Sequence, residues 1–257
     1  MKKTKLGLPY TYQKCPELFD DFDAPDDINE KNAVVEKLLR QQGVKTVLDH
    51  ACGTGAQVFF LTQHGYKVTG ADFSQDLVNI ARAKASKEKL DIQFIDGDMR
   101  TLKVAQFDAV ITIASAVGHL TKKGFEKALR NINANLVKGG IYIFDIFNLQ
   151  AMNDKTVAEL AMFRNLKKAE LQIYTAQCSS IDRENGLLTS YDVCMIQQKA
   201  KPPTIINDNF TLQIYTSKEI KEVLNRNGFE ILNQYDMKGL DFLEDKSLSI
   251  LTVARKK

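Results

Sequence analysis

The sequence has 257 residues and a formal net charge of +3, and 44% of its residues are apolar. This composition suffices for one sizeable α/β domain, with or without an insertion. The basic residues form no stripe, so electrostatics give no case for nucleic acid as the main partner. The four cysteines show neither metal-ligand spacing nor a disulfide framework, and no run is long enough to span a bilayer. We therefore expect a soluble cytoplasmic protein without a metal site.

Residues 1–30 precede the predicted core. From Glu17 to Glu30 the stretch contains several acidic residues and no Lys or Arg, and aromatic residues such as Tyr12 and Phe19 are interleaved with the acidic ones. One interpretation is a solvated surface segment; the other is a lid that supplies aromatic walls to a site and favours a cationic substrate. Apolar residues at helical spacing over 31–42 predict a helix that packs beneath the first strand.

The next stretch reads as a strand, a tight turn and the start of a helix. Residues 46–48 are apolar and β-rich, Asp49 ends the run, and small residues with Gly53 and Gly55 follow. Glycine permits a positive φ and lets a ligand approach the main chain, and the helix N-terminus behind it presents unpaired N–H groups. This pattern predicts a nucleotide-type cofactor site. A turn without a ligand is the plain alternative, and a nicotinamide dinucleotide loop is a third, although its last glycine position is Val58 here.

Strands and helices then alternate along the chain. Apolar, β-rich runs predict strands, and Ser74 is a plausible cap for the helix after the second strand. A helix is expected through 121–136, with Gly139-Gly140 after it as the break. Near-continuous apolar strands with helices between them predict a parallel sheet covered on both faces. The predicted strands are 66–71, 91–95, 107–113 and 141–144.

Residues 150–215 interrupt this alternation. A helical stretch over 151–163 leads to three β-rich runs, and Asp182 to Gly186 is a hairpin signal between the first two. The runs, which predict a small inserted antiparallel sheet, are 168–180, 187–198 and 207–215.

The end of the chain returns to the main sheet. Thr216 to Glu219 matches a capping box that opens a helix, and two strands over 229–232 and 248–253 follow as an antiparallel edge. The predicted fold is α/β, with a doubly wound, mostly parallel seven-stranded sheet whose final strand is antiparallel. The predicted division is a lid segment 1–30, a core of 31–149 and 216–257, and an inserted β-rich segment 150–215.

Four acidic residues follow successive predicted strands. Ligands of open α/β sheets bind outside these strand ends. The acid after the second strand can accept from two ribose hydroxyls, and the acid after the third can accept from an exocyclic amino group. The Met99 main-chain N–H can donate to a ring nitrogen. Phe73 and Met99 could sandwich a base. Each aspartate alone is more typical of a turn or a cap, but their order along one sheet edge indicates a site. They are Asp49, Asp72, Asp98 and Asp145.

These motifs resemble those of class I S-adenosylmethionine-dependent methyltransferases. The resemblance covers residues 45–147, and the closing helix and strands of 216–254 fit the usual ending of that family. Within it, the chain is similar to small-molecule N-methyltransferases of the glycine and aminosugar types. The motifs that carry the resemblance are 47–55, 70–74, 97–100, 107–110 and 136–141.

The resemblance implies S-adenosylmethionine as cofactor and assigns roles around it. The glycine loop would hold the methionyl part, Asp72 the ribose, and Asp98 with Met99 the adenine. Asp49 would orient the amino group, and Tyr12 would reach the carboxylate. The full set of expected cofactor contacts is Tyr12, Asp49, Ala51, Gly53, Gly55, Asp72, Phe73, Asp98, Met99 and Ala114.

The acceptor side is expected to use other residues. His119 and Tyr12 are the candidate proton acceptors, and His119 could equally cap a helix or satisfy a buried carbonyl. Ser115, also a catalytic candidate, would orient the substrate with His119, Asp145 and Asn148.

The function that these residues predict is methyl transfer to a small molecule, with nitrogen favoured over oxygen. Glycine N-methyltransferase has an Asn where this chain has Ser115, and it has an Arg, near the position of Phe147, that binds the substrate carboxylate. Neither residue is present here. This difference argues against a small amino acid that is held by its carboxylate in the same manner. The alternatives are methylation of RNA or protein and a non-catalytic cofactor-binding protein on the same fold.

Overall fold

The computed structural model describes residues 15–21, 25–168, 170–199 and 201–257, with the side chains of 25–27 and 168 left out. Strands in these ranges form a seven-stranded and a four-stranded sheet. No helix in them is long and apolar enough to cross a membrane. The α-helices are α1 (Pro25–Gln41), α2 (Ala56–Gln63), α3 (Gln75–Glu88), α4 (Lys122–Ala134), α5 (Asp154–Glu159) and α6 (Ser217–Arg226).

The larger sheet has the strand order β10-β11-β5-β4-β1-β2-β3. Strand β11 is antiparallel to both of its neighbours, and the remaining pairs are parallel. The predicted fold class is therefore confirmed. The strands of this sheet are β1 (Thr46–His50), β2 (Lys67–Asp72), β3 (Gln93–Asp96), β4 (Phe107–Thr112), β5 (Leu136–Phe147), β10 (Phe229–Tyr235) and β11 (Ser249–Lys256).

Helices cover both faces of this sheet, as near-continuous apolar strands require. On one face, α1, α2 and α3 pack on a cluster that includes Leu39, Val47 and Val58. On the other face, α4 and α6 pack on a second cluster that includes Leu48 and Phe125. Successive residues of β1 thus face opposite layers, which fixes the direction of each side chain at the carboxyl end of the strand.

Strand β5 begins earlier than the sequence predicts. Helix α4 ends at Ala134, two residues before the predicted end at 136, and Gly139-Gly140 lies beyond it. The strand starts at Leu136, and its pairing with β4 shifts register between Leu136 and Ile141. Gly139 has a φ of +74°, and a Cβ on Gly140 would lie 2.9 Å from the carbonyl oxygen of Val137. The glycines therefore permit an irregular strand segment and do not end the helix.

The inserted sheet has four strands in the order β6-β7-β8-β9, and each pair is antiparallel. The sequence predicts three of them, and the helix predicted over 151–163 is wrong in its second half. That helix ends at Glu159, and Met162 opens a strand that pairs with β7. Cross-strand pairing overrides helical periodicity in this stretch. The strands are β6 (Met162–Lys168), β7 (Leu171–Asp182), β8 (Leu187–Gln198) and β9 (Thr204–Gln213).

The inserted sheet is anchored at two places. Leu188 and Leu212 pack with Met152 and Val157 below the hairpin end. Ile173 and Cys194, further along the sheet, pack against Leu18 of the amino-terminal segment. The domain division given above stays a prediction.

Helix α6 offers a test of the predicted capping box. The Thr216 side chain accepts from the Glu219 backbone N–H, and the Glu219 side chain accepts from that of Thr216. We expect Thr216→Ala to lower the free energy of unfolding by about 1 kcal/mol, since a helix donor loses its partner. Urea denaturation measures this change. Lys218→Ala, at an exposed position of the same helix, should change it by less than about 0.5 kcal/mol. Equal losses in the two variants would contradict the assignment.

Candidate active site

The carboxyl ends of β1, β2, β3 and β4 meet at one edge of the larger sheet, and a cavity of about 360 Å³ lies there. Most of the expected cofactor contacts line it. Among the residues that the structure describes, the predicted site residues in its wall are Ala51, Gly53, Asp72, Phe73, Asp98, Met99, Ala114 and His119.

The glycine loop forms one side of the cavity. Gly53 has a φ of +54°, and a Cβ there would lie 3.1 Å from the ring of Phe19. Any larger residue would therefore meet both backbone strain and a steric neighbour. Gly55 occupies the N-cap position of α2 and lies outside the wall. Cys52 is buried, and burial raises the pKa of its thiol well above the ordinary value, so this cysteine packs as a neutral side chain.

Asp72 links the ends of β1 and β2. Its Oδ2 accepts from the Gly53 N–H at 2.8 Å, and its Oδ1 accepts from the Ser74 N–H at 2.8 Å. Burial raises the pKa of this carboxyl, and these backbone N–H groups act in the opposite direction. Each oxygen keeps a lone pair, so a diol such as a ribose could still donate two hydrogen bonds to it.

Asp49 lies behind the loop and is 1% exposed. Its Oδ2 has no hydrogen-bond partner in the described part of the chain. Burial, followed by the charge of Asp72, raises the pKa of Asp49 to about 8, while the Ala51 N–H lowers it. A cationic group bound nearby would stabilise the ionised form of this carboxyl.

Asp98 is already engaged by a neighbour. The Arg100 guanidinium and backbone N–H both donate to it, the backbone bond at 2.8 Å. These bonds hold the pKa of Asp98 below its ordinary value. The α4 residue Asn131 donates to the Met99 carbonyl at 3.0 Å, and thereby fixes the loop on which both predicted adenine contacts lie.

The chain leaves β4 through a strained corner. Ala114 and Ser115 have φ values of +62° and +54°, which L residues rarely adopt. The Ser115 N–H and Oγ both donate to Asp145 Oδ2, at 3.0 and 3.1 Å. Backbone strain of this kind is concentrated at functional sites. Ser115 and Asp145 are buried behind the cavity wall, and the hydrogen bonds between them fix the turn that places Ala114 in that wall.

Within the residues that it describes, the structure places only one of the three remaining candidate residues in the cavity wall. His119 lies in the wall, with its ring 6.3 Å from that of Phe210 on β9. Asn148 is fully buried, and its amide donates to the carbonyls of Glu244 and Ser247, away from the cavity wall. Those bonds favour a structural role for Asn148, and substrate contact stays a prediction. Tyr12 lies outside the described residues.

A 3₁₀ helix over Pro16–Asp21 connects the glycine loop to the inserted sheet. Asp20 accepts from the Thr54 hydroxyl and from Lys84 Nζ, the latter at 2.6 Å. Leu18, on the same turn, packs against the inserted sheet, and Phe19 lines the cavity. The residues of this acidic segment that the structure describes thus contact the site, and its action as a lid stays a prediction.

Sequence reasoning missed several residues of this site. The roles of Lys84 and Asn131 depend on contacts 64 and 32 residues away in the chain, for which no local pattern exists. His50 carried a signal that went unused. It is a second polar residue, directly after Asp49, at the end of a strand whose centre is apolar.

Comparisons with known proteins agree with this geometry. Residues 47–140 match a family model described as a methyltransferase domain. A protein of Geobacillus sp. strain WCH70, whose name specifies a methyltransferase without an acceptor, is 32% identical over 124 residues, or 46% of this chain and 50% of that one. Human glycine N-methyltransferase is 31% identical over 125 residues, or 42% of each chain. The alignments thus span about half of these curated relatives or less.

A solved structure shows the same fold over nearly the whole chain. A sugar N-methyltransferase from a Streptoalloteichus species superposes with a TM-score of 0.80 at 17% identity, covering 98% of this chain and 94% of that one. At this identity the likeness extends to the fold alone.

Asp49 makes stability depend on pH. The pKa of Asp49 is about 8 in the folded protein and roughly 3.9 in the unfolded chain. The folded state therefore holds this proton more tightly, and the free energy of unfolding falls as pH rises between these two values. We expect the free energy of unfolding of the ligand-free protein to fall between pH 5 and 8 relative to that of Asp49→Asn, which cannot ionise. Urea denaturation at a series of pH values measures the difference. Asp91→Asn, at an exposed loop position, should follow the wild type, and parallel curves for Asp49→Asn would contradict the assignment.

Proposed function

Because this chain carries a class I S-adenosylmethionine-dependent methyltransferase domain, we propose that it transfers the methyl group of that cofactor to a nitrogen atom of a small molecule. S-adenosylmethionine supplies a methyl group that is already activated on a sulfonium. The protein must therefore bind the cofactor, exclude water and orient a nucleophile.

The polar atoms of the cavity fit the cofactor. Asp72 keeps acceptor capacity for two ribose hydroxyls, and the buried Asp49 carboxyl lacks the partner that a cationic amino group would provide. Gly53 leaves space beside Phe19 that a Cβ would fill. Phe73 is 64% exposed at the rim, and an exposed aromatic ring is suited to stacking on a base.

The inserted sheet, by its position beside the cavity, favours a small acceptor. The cavity itself, of about 360 Å³, lies in the range of small-molecule pockets, roughly 300–1,000 Å³, and suits the cofactor, whose expected contacts form most of the predicted part of its wall. Phe210 from the inserted sheet approaches His119 in its wall, and Leu18 joins that sheet to the segment beside the glycine loop. An RNA or protein substrate would need an open groove in this place.

The nitrogen assignment rests on an acidic pair in the inserted sheet. Asp192 of β8 lies directly opposite Asp208 of β9. Burial, followed by the charge of Asp208, raises the pKa of Asp192 to about 6, while Arg164 acts in the opposite direction. Like charges at paired positions destabilise a sheet, and a bound ammonium group would relieve this repulsion.

The pair lies on the face of the inserted sheet that also carries Cys194 and Phe210. Side chains alternate along a strand, so Asp192 shares a face with Cys194, which packs on Leu18. In the other direction along that face, Ser190 is paired with Phe210, the residue next to His119. Asp192 therefore lies between two contacts that the sheet makes around the site. This position is the observation that favours a cationic amine over an alcohol.

An amine arrives at neutral pH mainly as its ammonium form, and its nitrogen must lose a proton before it can act as a nucleophile. His119 is our candidate proton acceptor, because it lies in the wall between the Ala114 corner and the inserted sheet. Ser115 and Asp145 would act by holding that corner.

Transfer of a labelled methyl group tests the proposal. The protein is incubated with labelled S-adenosylmethionine and matched panels of small amines, including aminosugars, and of their hydroxyl analogues. We expect label in the amine panel. Label only in hydroxyl compounds, only in protein or RNA, or in no compound despite cofactor binding, would contradict the proposal.

The acidic pair makes a second prediction about the best amine acceptor. The double variant Asp192→Asn with Asp208→Asn should lower kcat/KM by at least about 10-fold, since a charged partner of the ammonium group is lost. Its affinity for S-adenosylhomocysteine should stay at the wild-type value. Asp182→Asn, in the exposed β7–β8 turn, is the matched control. A wild-type kcat/KM in the double variant would remove the basis for the nitrogen assignment.

A further inference from the structure

The last residue of β1 carries a polar side chain to which no role has been assigned above. His50 is 1% exposed and lines the cavity. In the described part of the chain, neither of its ring nitrogens has a hydrogen-bond partner. A buried polar group without a partner is costly, and such groups are uncommon in native proteins. A ligand in the cavity would supply the missing partner.

The position of His50 identifies the end of the cavity that it serves. Alternation along β1 directs His50 to the side of Leu48, and directs Asp49 to the opposite side of the sheet. The charge that acts on the imidazole is that of Asp98, and Met99 of the same loop lines the cavity with it. His50 therefore lies towards the loop that is predicted to bind adenine.

The protonation state of His50 suits an uncharged base. Burial lowers the pKa of His50 to about 4, so the ring is neutral near pH 7. A neutral imidazole has one N–H donor and one acceptor nitrogen. The ring nitrogens of adenine are acceptors, and its exocyclic amino group is a donor. Asp98, as a carboxylate, can pair only with the amino group. The Met99 main-chain N–H can donate to one ring nitrogen, and a second ring nitrogen needs another donor.

We propose that His50 is a cofactor-binding residue whose ring N–H donates a hydrogen bond to a ring nitrogen of adenine, beside Asp98. The contact selects for the purine and fixes the adenosyl group against the end of β1. It explains why a histidine occupies a buried position at the end of a strand. The proposal rests on the cofactor alone, so its failure would leave the proposed acceptor chemistry untouched.

Calorimetric titration with S-adenosylhomocysteine at pH 7 tests the contact without any need for turnover. His50→Leu removes the donor at similar volume, and we expect it to weaken binding by at least about 10-fold. His50→Gln keeps a donor and should restore most of that affinity. The exposed His64, at the end of α2, provides the matched control variant His64→Gln, which should bind as the wild type does. Wild-type affinity in a folded His50→Leu would overturn the proposal.

A spectroscopic measurement covers the case in which His50→Leu fails to fold. The chain has three histidines, so the ring ¹⁵N resonances of His50 can be assigned in the wild-type protein with the help of His64→Gln and His119→Gln. We expect saturation with S-adenosylhomocysteine to shift the protonated ring nitrogen of His50, and titration with methionine alone to leave it in place. An unmoved resonance at saturating S-adenosylhomocysteine, or an equal shift with methionine, would overturn the proposal.

Discussion

The site depends on carboxylates that are buried at one sheet edge with fewer partners than their charge requires. Asp49 and Asp145 are 1% and 3% exposed, and burial raises the pKa of both. Backbone N–H groups of the loops provide partial compensation: Gly53 donates to Asp72, and Ser115 donates to Asp145. To aim those N–H groups inward, the loops take positive φ values at both donors. The strain of the loops and the burial of the acids therefore have a common cause, an edge built to receive polar groups of a ligand.

The inserted sheet and the amino-terminal segment complete this edge. Asp20 joins the 3₁₀ helix to Thr54 and Lys84 at the glycine loop, and Leu18 joins the same turn to the inserted sheet. The inserted sheet is therefore connected to the glycine loop through this short segment, in addition to its contact with the cavity wall at Phe210 and His119.

The sequence predicted the parts of the structure that local chemistry determines. The strand end at Asp72, the glycine turn and the capping box at Thr216 each depend on a few neighbouring residues, and β1 continues one residue past the predicted end at Asp49, to His50. The sequence did not predict the full extent of β5, because a Gly-Gly pair after a helical pattern usually marks the end of a helix. The register shift that lets β5 include these glycines depends on pairing with β4, which is distant in the sequence. Strand β6 was read as helix for the same reason, since only pairing with β7 makes it a strand.

In the site, too, residues that belong to a short motif could be predicted, and residues that act through distant contacts could not. Residues of the cofactor motif could be predicted because one short stretch carries several of them, whereas Asn131 supports Met99 from a helix with no motif of its own. Asn148 shows the reverse situation. Its polar side chain at a strand end suggested substrate contact, which stays a prediction, and the contacts of its amide with the carbonyls of a distant loop are visible only in the structure.

A crystal structure of the protein with S-adenosylhomocysteine is the most direct test of the central claim, that this sheet edge holds the methyl donor and presents it beneath the inserted sheet. The ribose hydroxyls should lie within hydrogen-bonding distance of Asp72, and the sulfur should face the space between Ala114 and the inserted sheet. A ribose distant from Asp72, or a sulfur that faces away from that space, would contradict the claim.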